Sequence, residues 1–270
     1  MPIFLKLLVN RQAVVTKAVV SLSLLARQSS SLAESQESKV VLYQYKICPF
    51  CSRVKSLLDY MDVPYDSVEV SPLTKSQLSF TTHKKVPVAK IDNNIIAESA
   101  DIISYLLDPK KFPQGIKLSK SFLPDDSEQW TLWSEKKLAV MLYPNITRTY
   151  NESWECFNYT SSVTSWSYPE RKLTHILGAF FMSLANGKIK KKYGIINERE
   201  ELKTVLNEWT TAIDNKDFLH GSDLTLPDLM VYGVLRSIVA TQNFREIMAD
   251  NKVLQSWYIR VDNKLPRHSQ

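Results

Sequence analysis

Val40–Tyr45 is a short run of mostly apolar residues, Val-Val-Leu-Tyr-Gln-Tyr, and its composition predicts a buried strand. Ser52–Tyr60 follows with Val54, Leu57 and Leu58 at helical spacing, which predicts an amphipathic helix to about Asp62, broken by Val63-Pro64. Tyr65–Val70 alternates and reads as a second strand. Strand, helix and strand together make a right-handed βαβ unit with a parallel pair. A short helix is expected from Thr74 to Thr81 and a third strand over Val86–Ile91. The turn Asp92-Asn93-Asn94 joins Val88–Ile91 to Ile95–Ala97 as a hairpin. Ser99 then opens a helix to Leu107, with Ile102, Ile103, Leu106 and Leu107 on one face. The order is βαβαββα.

Residues 109–126 are polar and contain proline, the composition of a linker between residues 38–108 and a second unit over 127–266. In that second unit the pattern is helical throughout: Glu128–Leu142, Glu170–Ala185, Glu198–Asp214, Leu226–Ala240, Asn243–Ala249 and a last helix from Val253. Thr225-Leu226-Pro227-Asp228 is a capping box, with Leu224 and Leu229 placed as its hydrophobic staple.

Composition changes this picture at the N-terminus. The chain of 270 residues carries a net charge of +6, but residues 1–33 hold Lys6, Arg11, Lys17 and Arg27 and no acid. Four of the six charges therefore belong to that segment, and the remainder is nearly neutral, which argues against a nucleic-acid partner. The Lys188–Lys192 cluster reads as a solvated helix end. Residues 1–36 have the character of a mitochondrial transit peptide, because residues 1–33 are basic, serine-rich and acid-free. A secretory signal ending at Ser31-Leu32-Ala33 and a membrane anchor are the rival readings, with a cytoplasmic chain left after removal. Asn145-Ile146-Thr147, Asn151-Glu152-Ser153 and Asn158-Tyr159-Thr160 match the glycosylation pattern, the one feature that points to a secretory lumen.

Cys48-Pro49-Phe50-Cys51 carries the chemistry. It falls where the first strand gives way to the first helix. A cysteine at a helix start faces unpaired N–H groups and the positive dipole end, both of which favour the reactive thiolate. Cys48 is so placed, and Cys51 lies one turn on, close enough to resolve a mixed disulfide. A zinc site would need two further ligands, and only Cys156 and four scattered histidines are available, so no metal is expected. Haem attachment would need a histidine where Ser52 stands.

The element order, the Cys-Pro-Phe-Cys turn and Val86-Pro87 before the third strand resemble the thioredoxin-fold glutaredoxins and glutathione transferases. The resemblance implies an α/β thioredoxin-like N-terminal domain followed by an all-α, glutathione transferase-like C-terminal domain. It implies a cis Pro87, pairing of glutathione's cysteinyl moiety with the Val86 backbone, and a γ-glutamyl site at Glu98-Ser99. Ser99 at a helix N-cap would offer its hydroxyl and free N–H groups to a carboxylate.

A narrower resemblance lies in Leu42–Val54, Lys84–Val88, Pro227–Arg236 and Trp257–Val261, which are similar to the type 2 membrane-associated prostaglandin E synthases. Residues 108–170 match that family poorly. The resemblance implies thiol-activated isomerisation of prostaglandin H2 to prostaglandin E2, with glutathione as cofactor and haem bound alongside it. Cys48 would supply the thiolate, Tyr45 a phenol beside the developing oxyanion, and Phe50 an apolar wall, with Cys51 secondary. Neither His83 nor His175 stands out as an axial haem ligand. Membrane association through residues 1–33 and a homodimer are further expectations. Two other functions stay open: a thiol–disulfide oxidoreductase using both cysteines, and a non-catalytic glutathione- or haem-binding protein.

Overall fold

The computed structural model describes residues 38–113 and 118–266; residues 1–36, read from the sequence as a targeting or anchor segment, lie outside the described residues. Strand β1 (Val40–Gln44) is central, with β2 (Tyr65–Glu69) parallel on one side and β3 (Val88–Ile91) antiparallel on the other. Strand β4 (Asn94–Ala97) pairs antiparallel with β3, giving the order β2-β1-β3-β4. Helix α1 (Pro49–Tyr60) links the parallel pair, and α2 (Ser99–Leu107) follows β4. Alternate residues of β1 are buried, and Val40 and Leu42 join Val54, Leu57 and Leu58 of α1 in the main core. Pro49 starts α1 at a position where its missing N–H has no cost.

This is the expected thioredoxin-like architecture, with local corrections. The helix expected over Thr74–Thr81 is a single 3₁₀ turn, Ser76–Leu78, because only Leu78 of that segment reaches the core. The third strand begins at Val88 rather than Val86, after a cis Val86-Pro87 peptide bond. Phe112 and Phe122, within the polar stretch 109–126, are fully buried, and Phe122 stacks on Tyr60 with ring centroids 4.9 Å apart.

The helical part begins with α3 (Ser127–Trp133), which runs through a π turn, Ser134–Leu138, into α4 (Ala139–Ile146). It continues with α5 (Tyr150–Cys156), α6 (Tyr168–Tyr193), α7 (Glu198–Ile213), α8 (Leu226–Arg236), α9 (Gln242–Asp250) and α10 (Lys252–Asp262). Helix α5 was not expected from the sequence. Helix α6 extends eight residues beyond its expected end at Ala185, to a C-cap at Gly194, φ +68°. The lysine cluster forms its last turn, where Lys190 pairs with Glu198. Helix α8 stops at Arg236 rather than Ala240. Among the described residues no helix is long and apolar enough to cross a membrane.

Helix α8 is buried almost along its whole length and packs against α1. Its N-terminal box is formed as expected: Asp228 accepts from the Thr225 N–H at 3.1 Å and the Thr225 hydroxyl at 2.7 Å. Asp228 also accepts from Leu219 N–H and from the Trp257 indole at 2.9 Å, tying α10 to α8. Arg53 of α1 is completely buried, and its guanidinium donates to Glu135 of the π turn at 3.1 Å and to the Thr131 carbonyl at 3.3 Å. Arg236 pairs with Asp59, which also accepts from Tyr65 at 2.9 Å. Asn145, the first sequon residue, is buried on α4; its amide donates to the Met141 and Glu198 carbonyls, each at 2.8 Å.

Gly233 marks the closest approach of α8 to α1. A Cβ there would sit 2.7 Å from Arg53 Cα and 3.1 Å from the Ser52 carbonyl oxygen. Those are backbone atoms, so no side chain can swing away. Gly233→Ala should destabilise the protein by about 1–3 kcal/mol, the usual cost of overpacking. Gly187, mid-way along the last turns of α6, has nothing within 4 Å of its would-be Cβ. Gly187→Ala should therefore gain about 0.5–1 kcal/mol from helix propensity alone. Denaturant unfolding of both variants checks the pair; equal effects at the two positions would show that the α1–α8 contact is not tight.

Candidate functional site

Cys48 occupies the N-cap of α1 with extended backbone, φ −81°, ψ 118°. Its N–H donates to the Tyr45 carbonyl at 2.9 Å, which closes the turn between β1 and α1, and its own carbonyl accepts from Ser52 N–H at 3.0 Å. Cys48 is half-buried, Cys51 fully buried, and all three cysteines are free thiols. The Cys51 thiol donates a hydrogen bond to the Cys48 sulfur, and this lowers the Cys48 pKa. Burial works against it; the backbone N–H groups of Cys51 and Phe50 at the helix start lower it further. Cys51 moves the other way, its pKa raised well above the ordinary value by burial and then by its partner sulfur. One cysteine is thus shifted toward its thiolate form, and the second holds its proton and points it at the first.

Two acidic groups that the sequence reading did not single out stand beside this pair. Glu69 ends β2, in register with Gln44 of β1. It accepts from Lys46 N–H at 2.8 Å, from the Gln44 amide at 3.4 Å and from the Tyr159 hydroxyl. Burial pushes its pKa up to about 7, against those donors. Tyr159 lies in the 3₁₀ segment Asn158–Ser162 after α5, and burial, then Glu69, raises its pKa well above the ordinary phenol. Tyr45 is likewise pushed up to about 12 by burial and by the Cys48 sulfur. Both phenols therefore keep their protons at neutral pH. The parallel register of Gln44 with Glu69 was the available signal for Glu69; Tyr159 sits in a stretch without periodicity and offered none.

Cys48, Tyr45, Phe50 and Tyr159 line a cavity of about 360 Å³, completed by Leu142, Ile146, Phe157 and Met182 from the helical part. Its wall is overwhelmingly apolar. It is the size of a ligand pocket for a molecule with a large hydrocarbon portion.

The other expected site residues lie along the same end of the sheet. The register Tyr43↔Val88↔Ala97, continued by two residues, aligns Tyr45, Val86 and Ser99 across three adjacent strands. Two strand spacings are about 10 Å, the reach of an extended tripeptide. Val86 precedes the cis bond to Pro87 and stands outside the β ladder, so its backbone N–H and C=O are not committed to a strand partner. Ser99 is buried but is the first residue of α2; the N-cap is Glu98, at φ +66°, a strained conformation for a residue with a Cβ. The expected capping role of Ser99 is therefore corrected: no side-chain cap bond forms, and Ser99 is left with its helix-start N–H groups. These features fit glutathione, a tripeptide with a free carboxylate at each end. Haem does not fit through histidine: His83 lies 3.6 Å from Glu98, His175 is bonded to the Trp154 carbonyl and stacked on its indole, His220 meets Asp126, and none lines the cavity.

A thioredoxin-like sheet carrying a Cys-x-x-Cys helix start, followed by this helical array, defines the class: a protein of the glutathione transferase fold. Residues 42–112 match the family model described as glutathione S-transferase, N-terminal domain. The solved structure of human glutathione S-transferase T1-1 in apo form superposes with a TM-score of 0.52 at 19% identity, over 84% of each chain. Within that class the chain is similar to prostaglandin E synthase 2. It is 29% identical to the protein of that name from Danio rerio, over 88% of this chain and 74% of the relative, and 26% identical to that from Mus musculus, over 88% and 73%.

The asymmetry of the two thiols is directly measurable. Limited alkylation of the native protein should modify Cys48 and spare Cys51 and the buried Cys156, whose pKa burial pushes up to about 12. Cys51→Ala should move the Cys48 alkylation profile to higher pH, because the donor is gone; Glu69→Gln should move it to lower pH, because a negative charge is gone. Profiles that coincide with wild type would remove the network from the account. Glu69 also leaves a stability signature. Its folded pKa, about 7, exceeds its ordinary 4.5, so the folded state holds the proton longer and stability falls as pH rises through that window. Glu69→Gln should abolish a slope worth at most about 3 kcal/mol.

Proposed function

We propose that the chain is a thiol-dependent isomerase of the prostaglandin E synthase type, converting prostaglandin H2 to prostaglandin E2 with glutathione as activator. One observation carries this reading: a helix-start cysteine whose pKa is lowered opens into a lipid-sized apolar cavity. The chemistry follows from the groups that line it. The Cys48 thiolate attacks one oxygen of the endoperoxide; a sulfur–oxygen bond forms and the oxygen–oxygen bond breaks. The Tyr45 phenol donates its proton to the oxygen released as an alkoxide. The phenolate then takes the hydrogen on the carbon that bears the sulfur-bound oxygen. The carbon–oxygen double bond forms, the sulfur–oxygen bond breaks, and the thiolate returns. Atoms and electrons balance without an outside oxidant. Phe50 and the helical wall exclude water, so an intermediate is not lost to hydrolysis. Glutathione, when bound along the sheet edge, would keep Cys48 reduced: one molecule would open a Cys48–Cys51 disulfide to a mixed disulfide and a second would release it, leaving both thiols and one glutathione disulfide.

A dithiol oxidoreductase is the second reading, favoured by the hydrogen bond between the two sulfurs. The variants separate the two. Cys48→Ser should abolish conversion of prostaglandin H2, while Cys51→Ser, whose hydroxyl can still donate, should keep most of it. Equal loss in both, together with glutathione–disulfide turnover by the wild type, would favour the oxidoreductase. Product identification after incubation with prostaglandin H2 and glutathione decides it.

The glutathione site has its own test. Ser99→Ala removes one donor to a carboxylate, worth roughly 1.5–3 kcal/mol. Glutathione affinity should fall roughly ten- to hundredfold. Because Ser99 makes no cap bond, thermal stability should stay near wild type. A folded Ser99→Ala protein with undiminished affinity would take the γ-glutamyl end away from α2.

A further inference from the structure

A second cavity, of about 200 Å³, adjoins the first. Ile47, Tyr159 and Ser237 line both, so the two share a wall. Their characters differ. The first is apolar; the second is lined by the cations Lys46, Lys55 and Arg236, with Glu155 as the acid among its lining residues.

Most of these charges are already committed. Arg236 is paired with Asp59. Glu155 accepts from Arg245 at 3.2 Å and from Gln242 N–H at 2.9 Å. Glu69 is engaged by Lys46 N–H, Gln44 and Tyr159. Lys46 is exposed. Lys55 is half-buried, and its ammonium makes no hydrogen bond or ion pair among the described residues. Its charged neighbours are Arg236 and Lys46, which repel it, and Asp59 and Glu69, which attract it and are both satisfied elsewhere. A cation removed from water with no bonded partner is a costly arrangement unless an anion completes it.

The position of Lys55 along α1 gives the anion a place relative to the chemistry. Cys48, Ser52, Lys55 and Asp59 fall at i, i+4, i+7 and i+11, one face of the helix. Seven residues at 1.5 Å each put Lys55 about 10 Å along the axis from Cys48. An extended chain of roughly eight carbon–carbon bonds, each about 1.5 Å long and advancing about 1.25 Å along the chain, spans that distance.

We propose that Lys55 is the carboxylate-binding residue for a long-chain fatty-acid-type ligand, whose apolar body fills the cavity beside Cys48 and whose acid end crosses the Ile47–Tyr159–Ser237 wall. The proposal rests on the isomerase reading for the choice of a lipid acid, and it adds the residue that would select an acid over a neutral lipid. It fixes polarity as well: the carboxylate lies toward the body of α1, and the reacting atoms lie at its N-terminus.

Displacement of a fluorescent fatty-acid probe from the full chain tests this without any prostaglandin turnover. Wild type should bind a twenty-carbon unsaturated fatty acid roughly ten- to hundredfold tighter than its methyl ester. Lys55→Met should lose that preference and bind acid and ester alike, at the wild-type affinity for the ester. Lys55→Arg should retain the preference, and unchanged thermal unfolding of both variants shows that folding is not the cause. Acid binding by Lys55→Met as tight as wild type would overturn the proposal. So would equal binding of acid and ester by wild type, or displacement by acetate or phosphate as effective as by the fatty acid, which would mark a site for a small free anion. Acid preference that depends on Lys55 in a chain without prostaglandin H2 conversion would leave the subsite standing and remove the isomerase reading.

Discussion

The contact between α1 and α8 at Gly233 is the constraint on which the site depends. Backbone meets backbone there, with no side chain between to absorb a shift. Helix α1 is therefore held in position and rotation by α8, and Arg53, buried between them and bonded to the π turn, fixes the rotation a second time. Cys48 is the N-cap of this clamped helix, so its sulfur, the N–H groups of Phe50 and Cys51, and the Cys51 thiol have one arrangement rather than several. A preorganised donor set of this kind stabilises a charge without reorganising when the charge appears. The apolar cavity completes the arrangement, its far wall coming from α4 and α6.

Electrostatics within the site run in opposite senses over a few residues. Burial alone would raise every acid there, and it does so for Cys51, Tyr45, Tyr159 and Glu69. Cys48 escapes because three donors converge on it at the helix start. The result is one thiol biased toward its anion beside groups that hold their protons, the separation of acid and base roles that pH-neutral chemistry needs. Glu69 is the exception that titrates close to neutrality, and its charge opposes the thiolate, so the reactivity of Cys48 is tied to the protonation of a residue on a neighbouring strand.

The N-terminal half of this arrangement was legible in the sequence because each element there carries a clean period and a clean stop. Val40–Tyr45, Pro49 and Val63-Pro64 delimit strand and helix without reference to anything distant. The capping box at Thr225 and Asp228 was equally local. What could not be read is what depends on tertiary contact. Helix α5 and the 3₁₀ turn that carries Tyr159 place Phe157 and Tyr159 outside any extended apolar period, so which of their residues face inward is set by tertiary contacts, such as that of Tyr159 with Glu69, rather than by pattern. The polar stretch 109–126 hides Phe112 and Phe122, two isolated aromatics that the core takes up individually. Ser99 was placed one residue off because Glu98 adopts a positive φ that its side chain does not advertise. Lys55 carries no signal of its own in the sequence; the fold sets it apart by bringing Arg236 of α8 near it.

The buried Asn145 carries information about the order of events in biosynthesis. Both of its amide hydrogens are used, one on Met141 and one on Glu198, and the side chain is sealed inside the helical array. An oligosaccharide on that nitrogen would consume one of the two hydrogens and hold α4 and α7 apart. Since such sugars are attached before a chain closes, a molecule that met the oligosaccharide transferase and was modified at this asparagine would be barred from the native state. The fold is thus reachable only by a chain that matures where that enzyme is absent or passes it unmodified at Asn145.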